Sequence, residues 1–361
     1  MLIDEKPFSL LQAEKDKLFK EAIAEAAQWH YEQNAECRRL YDSQDFDPNK
    51  DFELEDLPYF PVSVFKKFDL LSVPQEDIVK TLFSSSTTGL PSKIFIDNKT
   101  AEMQAKAIRQ ILIDFLGSAR RTFIIFDSPN IVKSIGGNLN SRGTAIRGIL
   151  PFAREVFFIL DDDLNLNLES LRGIEKSLET NDSLCFFGFT WLLFSIYTKN
   201  KDNRLVREVF KNIADREKIL LHIGGWKKLS DVAVSKADFN AAMGDFLSLN
   251  QHDVIDMYGM TEQLGTIYPD CSRGYKHVSL YSEIIIRDPK TLGSVVDGKI
   301  GIIELLSFIP HSYPGIALLS EDLGRVVGVD DCLCGRKGKY FVFEKRSEEA
   351  ELRGCGDALA I

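Results

Sequence analysis

Five consecutive hydroxyl side chains, Ser84, Ser85, Ser86, Thr87 and Thr88, run into Gly89 and then, past Leu90-Pro91-Ser92, into Lys93. Hydroxyls and backbone N–H groups in such a turn can wrap phosphate oxygens, Gly89 allows close backbone approach, and Lys93 brings a mobile positive charge. The bland alternative is a polar surface turn. A second grouping, Asp256-Met257-Tyr258-Gly259-Met260-Thr261-Glu262, reads as a strand ending in a turn that presents a ring, a hydroxyl and a carboxylate together. Strand ends are where ligands sit in α/β sheets, and Glu262 is a hard oxygen donor suited to Mg²⁺. Such a cation would offset the repulsion between anionic groups held side by side, about 4 kcal/mol for each uncompensated unit-charge contact at 4 Å and a surface-like dielectric.

These groups need elements to hold them. Helix-spaced apolar residues over 9–33, with Ser9 and Gln12 as a capping box, predict a long docking helix. Prolines bracket the apolar strip 57–66, which therefore reads as extended chain. Ile94-Phe95-Ile96 alternates as a strand, so the hydroxyl turn joins two strands, whereas a P-loop lysine opens a helix. Helical patterns at 100–115 and 166–178 and near Trp191, Val206 and Phe239 alternate with strand patterns at 122–126, 156–160, 184–187, 219–223 and 254–257. That rhythm predicts a layered α/β core. Short alternating runs at 278–286, 300–306 and 316–319 predict a β-rich module, and Gly335, Gly338, Gly354 and Gly356 suggest a hinge and a mobile tail. The expected division is a core domain over 1–325, with an N-terminal helical and extended cap at 1–75 and the β-rich module at 278–325, then a short C-terminal subdomain or tail at 326–361.

Over 361 residues, 44% hydrophobic and 27% charged content is that of a soluble globular chain able to bury a large core. A net charge of −10 argues against nucleic acid or an anionic membrane as the main partner. The first residues lack a secretory-signal pattern, and the apolar stretch 184–197, interrupted by Gly188, Thr190 and Ser195, is too short to span a bilayer. The expectation is a cytoplasmic protein that is not integral to a membrane. The six cysteines fit a reducing compartment. Among them, Cys271 with His277 and Cys332 with Cys334 form Cys-x5-His and Cys-x-Cys pairs that a structural zinc ion could use, free thiols being the alternative.

Taken in order and spacing, the hydroxyl turn, Gly224-Gly225-Trp226-Lys227, Tyr258 to Glu262, Ser320-Glu321-Asp322-Leu323-Gly324 and Gly335-Arg336 resemble the nucleotide-site motifs of adenylate-forming enzymes. Tyr59-Phe60-Pro61-Val62-Ser63-Val64-Phe65-Lys66 and the Gly-Gly-Trp-Lys turn resemble, within that superfamily, the LuxE acyl-protein synthetases. The resemblance implies an α/β adenylate-forming core with mixed sheets, acting on a carboxylic acid of fatty acyl type with ATP and Mg²⁺. It implies that Ser84 to Lys93 hold the β- and γ-phosphates, Gly224, Gly225 and Trp226 flank the adenine, and Tyr258, Gly259, Met260 and Thr261 contact adenine and α-phosphate. Glu262 would bind Mg²⁺, and Asp322, helped by Arg336, the ribose. Phe187 and Gly188 could line an acyl channel, ordinary core packing being the alternative.

Larger adenylate-forming enzymes carry a C-terminal domain of about a hundred residues with a catalytic lysine. Lys337, Lys339 and Lys345 are candidates for that charge here. The resemblance instead assigns Cys355, between Gly354 and Gly356, as the acyl acceptor that would pass its thioester to a partner, an acyl-CoA-reductase-like protein or an acyltransferase. The rival readings are an acyl- or aryl-CoA ligase of the phenylacetate type and a non-catalytic nucleotide-binding subunit.

Overall fold

Helices α1 (Gln12–Gln33) and α2 (Ala35–Ser43) open the chain. Phe19, Ile23 and Ala27 recur on one face of α1 and are fully buried, as an amphipathic docking helix requires. The start of α1 differs from the expected capping box. Leu11 caps it, donating its N–H to the Glu14 carboxylate at 3.1 Å, because the Ser9 hydroxyl is turned back onto the Lys6 carbonyl.

The structure, a computed structural model, describes residues 2–84, 90–133, 141–178 and 183–347. It falls into two units: Met1–Phe115 with Gly259–Tyr268 and Tyr275–Ile361, and Leu116–Tyr258 with Pro269–Gly274. In chain order the strands are β1 (Phe60–Pro61), β2 (Ile78–Phe83), β3 (Lys93–Asp97), β4 (Arg121–Ile125), β5 (Ala153–Phe158), β6 (Leu184–Phe189), β7 (Lys218–Ile223), β8 (Val254–Tyr258), β9 (Tyr268–Pro269), β10 (Lys276–His277), β11 (Ser282–Arg287), β12 (Gly301–Ser307), β13 (Ala317–Val329) and β14 (Lys339–Arg346). The later helices are α3 (Asn98–Leu116), α4 (Ser141–Ile149), α5 (Leu168–Ser177), α6 (Thr190–Asn200), α7 (Arg204–Asn212) and α8 (Lys236–Leu247). None of the described helices is long and apolar enough to cross a membrane.

In the first unit an antiparallel sheet runs β10-β14-β13-β12-β11, and β1 lies parallel to β13 through Phe60↔Leu318 and Pro61↔Leu319. Pro61 has no N–H to give, which suits so short a strand at the sheet margin. Phe19, Ile23, Phe65, Ile94, Ile96, Leu306 and Leu318 share its core. Strand β14 lies in the stretch whose glycines suggested a hinge. Gly335 and Gly338, at φ +89° and +85°, instead shape the turn that returns β13 onto β14, a conformation in which a Cβ is strained.

The second unit holds a parallel sheet in the order β5-β4-β6-β7-β8. Strand β6 is buried along its whole length, as expected for a strand covered on both faces. The apolar stretch 184–197 is therefore β6 plus most of α6. Gly188 has a packing role: a Cβ there would meet the Leu193 side chain at 2.8 Å. The side of Gly188 that was expected to pass an acyl chain is filled by α6, and Phe187 is buried in the unit's interior.

Candidate active site

Antiparallel pairing of β2 with β3 brings Phe83 opposite Lys93, so the hydroxyl turn does join two strands. Its mouth is pinned twice: the Ser84 N–H donates to the Ser92 carbonyl at 3.1 Å, and the Ser92 N–H donates to Ser84 Oγ at 2.9 Å. Ser85, Ser86, Thr87, Thr88 and Gly89 lie outside the described residues. Lys93 is half exposed, with Nζ 3.5 Å from Asp69 Oδ1, a surface pairing weak enough to be exchanged for a phosphate.

Still in the first unit, Thr261–Gln263 forms a 3₁₀ turn held from beneath. The Gln263 amide donates to the carbonyls of Leu305 (3.1 Å) and Gly315 (3.0 Å), and the Tyr313 hydroxyl donates to the Glu262 carbonyl (2.9 Å). The turn thus places the Glu262 carboxyl in a buried position. Burial pushes Glu262 above its ordinary range; the Ser92 hydroxyl and the Lys66 ammonium oppose that shift, and the Glu321 carboxylate adds to it.

Asp322 stands opposite Arg346 across the β13–β14 ladder. Arg346 pairs with the neighbouring Glu321, whose carboxylate is also 3.7 Å from Lys66 Nζ. The Asp322 N–H donates to Ser320 Oγ at 3.1 Å, and the Ser347 N–H donates to the Glu321 carbonyl at 2.8 Å. One unit therefore gathers the mouth of the hydroxyl turn, Glu262, Asp322 and three charged groups, Lys66, Glu321 and Arg346. Sequence reasoning missed the role of these three. The ladder register is what reveals Arg346, a pairing with no short-range signal.

Arg336 is elsewhere. It donates from Nε to Asp114 Oδ1 at 2.6 Å and lies over the Phe115 ring, 3.8 Å from its centroid. Because Asp322 faces Arg346 while Val329 faces Lys339, the turn carrying Arg336 begins on the order of 20 Å along the hairpin, at about 3.3 Å per residue. The structure separates Arg336 from Asp322 and sets Arg346 opposite that aspartate.

In the second unit, the carboxyl ends of β6, β7 and β8 carry Thr190, Gly224 and Tyr258, with Gly188, His222 and Asp256 in register beneath them. Gly224 takes φ +84°, which turns the chain so that the Trp226 ring meets Phe194 edge-on at 5.0 Å. His222 Nδ1 is 2.9 Å from Thr190 Oγ1 and 3.7 Å from Asp256 Oδ1, a buried polar cluster that braces this edge. The division between units falls after Tyr258, so Gly259, Met260, Thr261 and Glu262 belong to the first unit.

At the far end of the β13–β14 hairpin, the ligand atoms of His277, Cys332 and Cys334 lie within 4.8 Å of one another. His277 Nε2 and Cys334 Sγ are 3.2 Å apart. Cys271, six residues before His277, lies in the segment Pro269–Gly274, where its Sγ accepts the Arg273 N–H at 3.4 Å. Cys355 lies outside the described residues.

A model of the family described as Acyl-protein synthetase, LuxE matches residues 1–361. The long-chain-fatty-acid–luciferin-component ligase of Aliivibrio fischeri is 25% identical over 317 residues, 86% of this chain and 79% of that protein. Its counterpart in Vibrio harveyi is 20% identical over 347 residues, 95% of this chain and 87% of that protein. Among solved structures, an open conformation of 2-hydroxyisobutyryl-CoA ligase superposes with a TM-score of 0.72 at 16% identity, covering 94% of this chain and 76% of that one. The fold is that of the adenylate-forming enzymes.

Proposed function

This chain belongs to the LuxE acyl-protein synthetase family and is a ligase, and from that premise we propose that it joins a fatty acid to its own Cys355 through an acyl-adenylate. In the first half-reaction a carboxylate oxygen of the acid attacks the α-phosphorus of ATP. The bond to the bridging oxygen breaks, and pyrophosphate leaves with its electron pair. In the second, the Cys355 thiolate attacks the acyl carbon, the C–O bond to phosphate breaks, and AMP leaves, the thiol proton having passed to solvent.

The observation that carries this reading is the gathering, within one unit, of the pinned hydroxyl turn, Glu262, Asp322 and Arg346. Lys93 and the turn would steady the departing pyrophosphate. Asp322 would accept from the ribose hydroxyls while Arg346 holds its charge in place. By the motif resemblance, Gly224, Gly225 and Trp226 would flank the adenine, and Tyr258, Gly259, Met260 and Thr261 would contact adenine and α-phosphate. A buried carboxyl beside a second carboxylate is a fitting donor for a hard divalent cation, so Glu262 would hold Mg²⁺, which when bound offsets repulsion between the two anionic substrates.

Ser347 is tied to Glu321, and Cys355 follows eight residues later, so the chain between them can span at most about 28 Å. That tether is long enough to bring the thiol to the Asp322 end of the hairpin. Glu348, Glu349, Glu351 and Asp357 disfavour a thiolate in the tail, and proximity to Lys66 and Arg346 would favour it. The thioester would then serve a second protein, a reductase or an acyltransferase.

The test uses a radiolabelled fatty acid and ATP. Wild type should retain a hydroxylamine-labile label, whereas Cys355→Ser should catalyse acid-dependent ATP–pyrophosphate exchange and retain none. Label of equal amount on Cys355→Ser would sink the transfer step. A pantetheine thiol acylated at full rate by that variant would place the chain with the CoA ligases.

A further inference from the structure

We propose that His277, Cys332 and Cys334 bind a zinc ion that staples β10 to the β13–β14 turn. This proposal stands independently of the adenylation chemistry. Tetrahedral zinc with Zn–S near 2.3 Å and Zn–N near 2.0 Å has ligand–ligand edges of roughly 3.5 Å between sulfur and nitrogen and roughly 3.8 Å between sulfurs. The Cys334–His277 separation of 3.2 Å has to open slightly, and ligand atoms that lie within 4.8 Å of one another have to close by about 1 Å at most, to reach that shape.

The local chain is built to aim both thiols inward. The Gly335 N–H donates to the Cys332 carbonyl at 3.0 Å, and Asp330 takes φ +63°, which makes a tight turn. Leu333, between the two cysteines, is 82% exposed. An apolar residue directed at solvent is unfavourable on hydrophobic grounds, and the turn accounts for it: Leu333 and Cys334 are the two central residues of the turn from Cys332 to Gly335, with Leu333 on its outer side. His277 is fully buried, with the Phe8 ring edge-on at 6.0 Å and the Tyr340 ring stacked at 5.5 Å. These rings fix the imidazole plane and keep water from the ligands.

Charge agrees with this ligand set: two thiolates and a neutral imidazole balance a divalent cation. Soft sulfur and imidazole donors select zinc over the hard magnesium ion assigned to Glu262.

The full chain, purified without chelators or a metal-affinity step, should contain one zinc per molecule by elemental mass spectrometry. Cys332→Ser should retain below roughly a tenth of an equivalent. Cys185→Ala, on β6, should keep its zinc. Wild type reloaded with Co²⁺ should show thiolate-to-cobalt charge transfer and tetrahedral ligand-field bands, a readout that decides the matter even if the variants fail to fold. Wild type that is metal-free and gives no cobalt bands overturns the site. Full zinc in Cys332→Ser does the same.

Discussion

The two ends of the β13–β14 hairpin are made of different material. At the Asp322 end, β14 runs out into exposed residues, and Glu321, Asp322, Lys66 and Arg346 are charged groups that hold one another in part. At the other end His277, Cys332 and Cys334 sit among aromatic rings. There Asp330 accepts N–H groups from Gln12 (3.0 Å) and Gly338 (2.7 Å), tying the start of α1 to the turn. A carboxylate at a helix N-terminus is favourable, so Asp330 also steadies α1. Chemistry needs groups that can exchange partners, and a scaffold needs groups that cannot. One hairpin provides both by separating them along its length.

The largest expected effect lies at the scaffold end. Glu283 on β11 is fully buried between Lys15 Nζ (2.9 Å) and Lys339 Nζ (3.3 Å) and accepts from Gln12. Burial alone would raise its carboxyl, but Lys15 and Lys339 outweigh burial and hold it at about 2. Glu283→Gln leaves two ammonium groups without a counter-charge and should cost about 3–5 kcal/mol in denaturant unfolding. For an acid with a depressed folded value, stability is present above the ordinary value of 4.5 and is lost as the pH falls toward about 2. The gap between wild type and Glu283→Gln should therefore close over that window, and a gap that stays constant would contradict the pairing.

Two arginines sharpen the contrast. Arg346→Ala should lower ATP–pyrophosphate exchange by roughly tenfold, about 1.4 kcal/mol, through a less firmly held Asp322, and shift stability by only ~0.5 kcal/mol. Arg336→Ala should do the reverse, costing about 1 kcal/mol of stability through its lost ring and ion-pair contacts while exchange per folded molecule stays unchanged. Exchange lost in Arg336→Ala and kept in Arg346→Ala would invert the assignment of the two ends.

Local signals were legible in the sequence wherever local physics decides. The hydroxyl turn between strands and the β/α alternation through β4–β8 follow from glycine and apolar periodicity, whereas the strip 57–66 is extended only as far as Pro61, after which Val62–Lys66 winds into a 3₁₀ helix that Pro61, standing just before it, does not prevent. Cys271 with His277 and Cys332 with Cys334 were legible as candidate ligand pairs, because Cys and His spacing can be read without knowledge of the fold. What was hidden depends on register. Gly335 and Gly338 looked like a hinge because a positive-φ turn and a flexible joint use the same residue. Arg336 looked like a nucleotide ligand because it follows a glycine past Asp322 in the sequence, whereas the antiparallel return brings Arg346 back to that aspartate. Gly188 looked open until α6 placed Leu193 against it.

The central claim is that the Asp322 end makes an acyl-adenylate. Fatty-acid-dependent exchange of labelled pyrophosphate into ATP, measured on the folded wild-type chain with Mg²⁺ across a series of chain lengths, tests it most directly. Exchange that needs the acid, and that falls sharply in Lys93→Ala without loss of fold, is the predicted result. Folded protein that binds ATP and gives no acid-dependent exchange at any chain length would contradict the account.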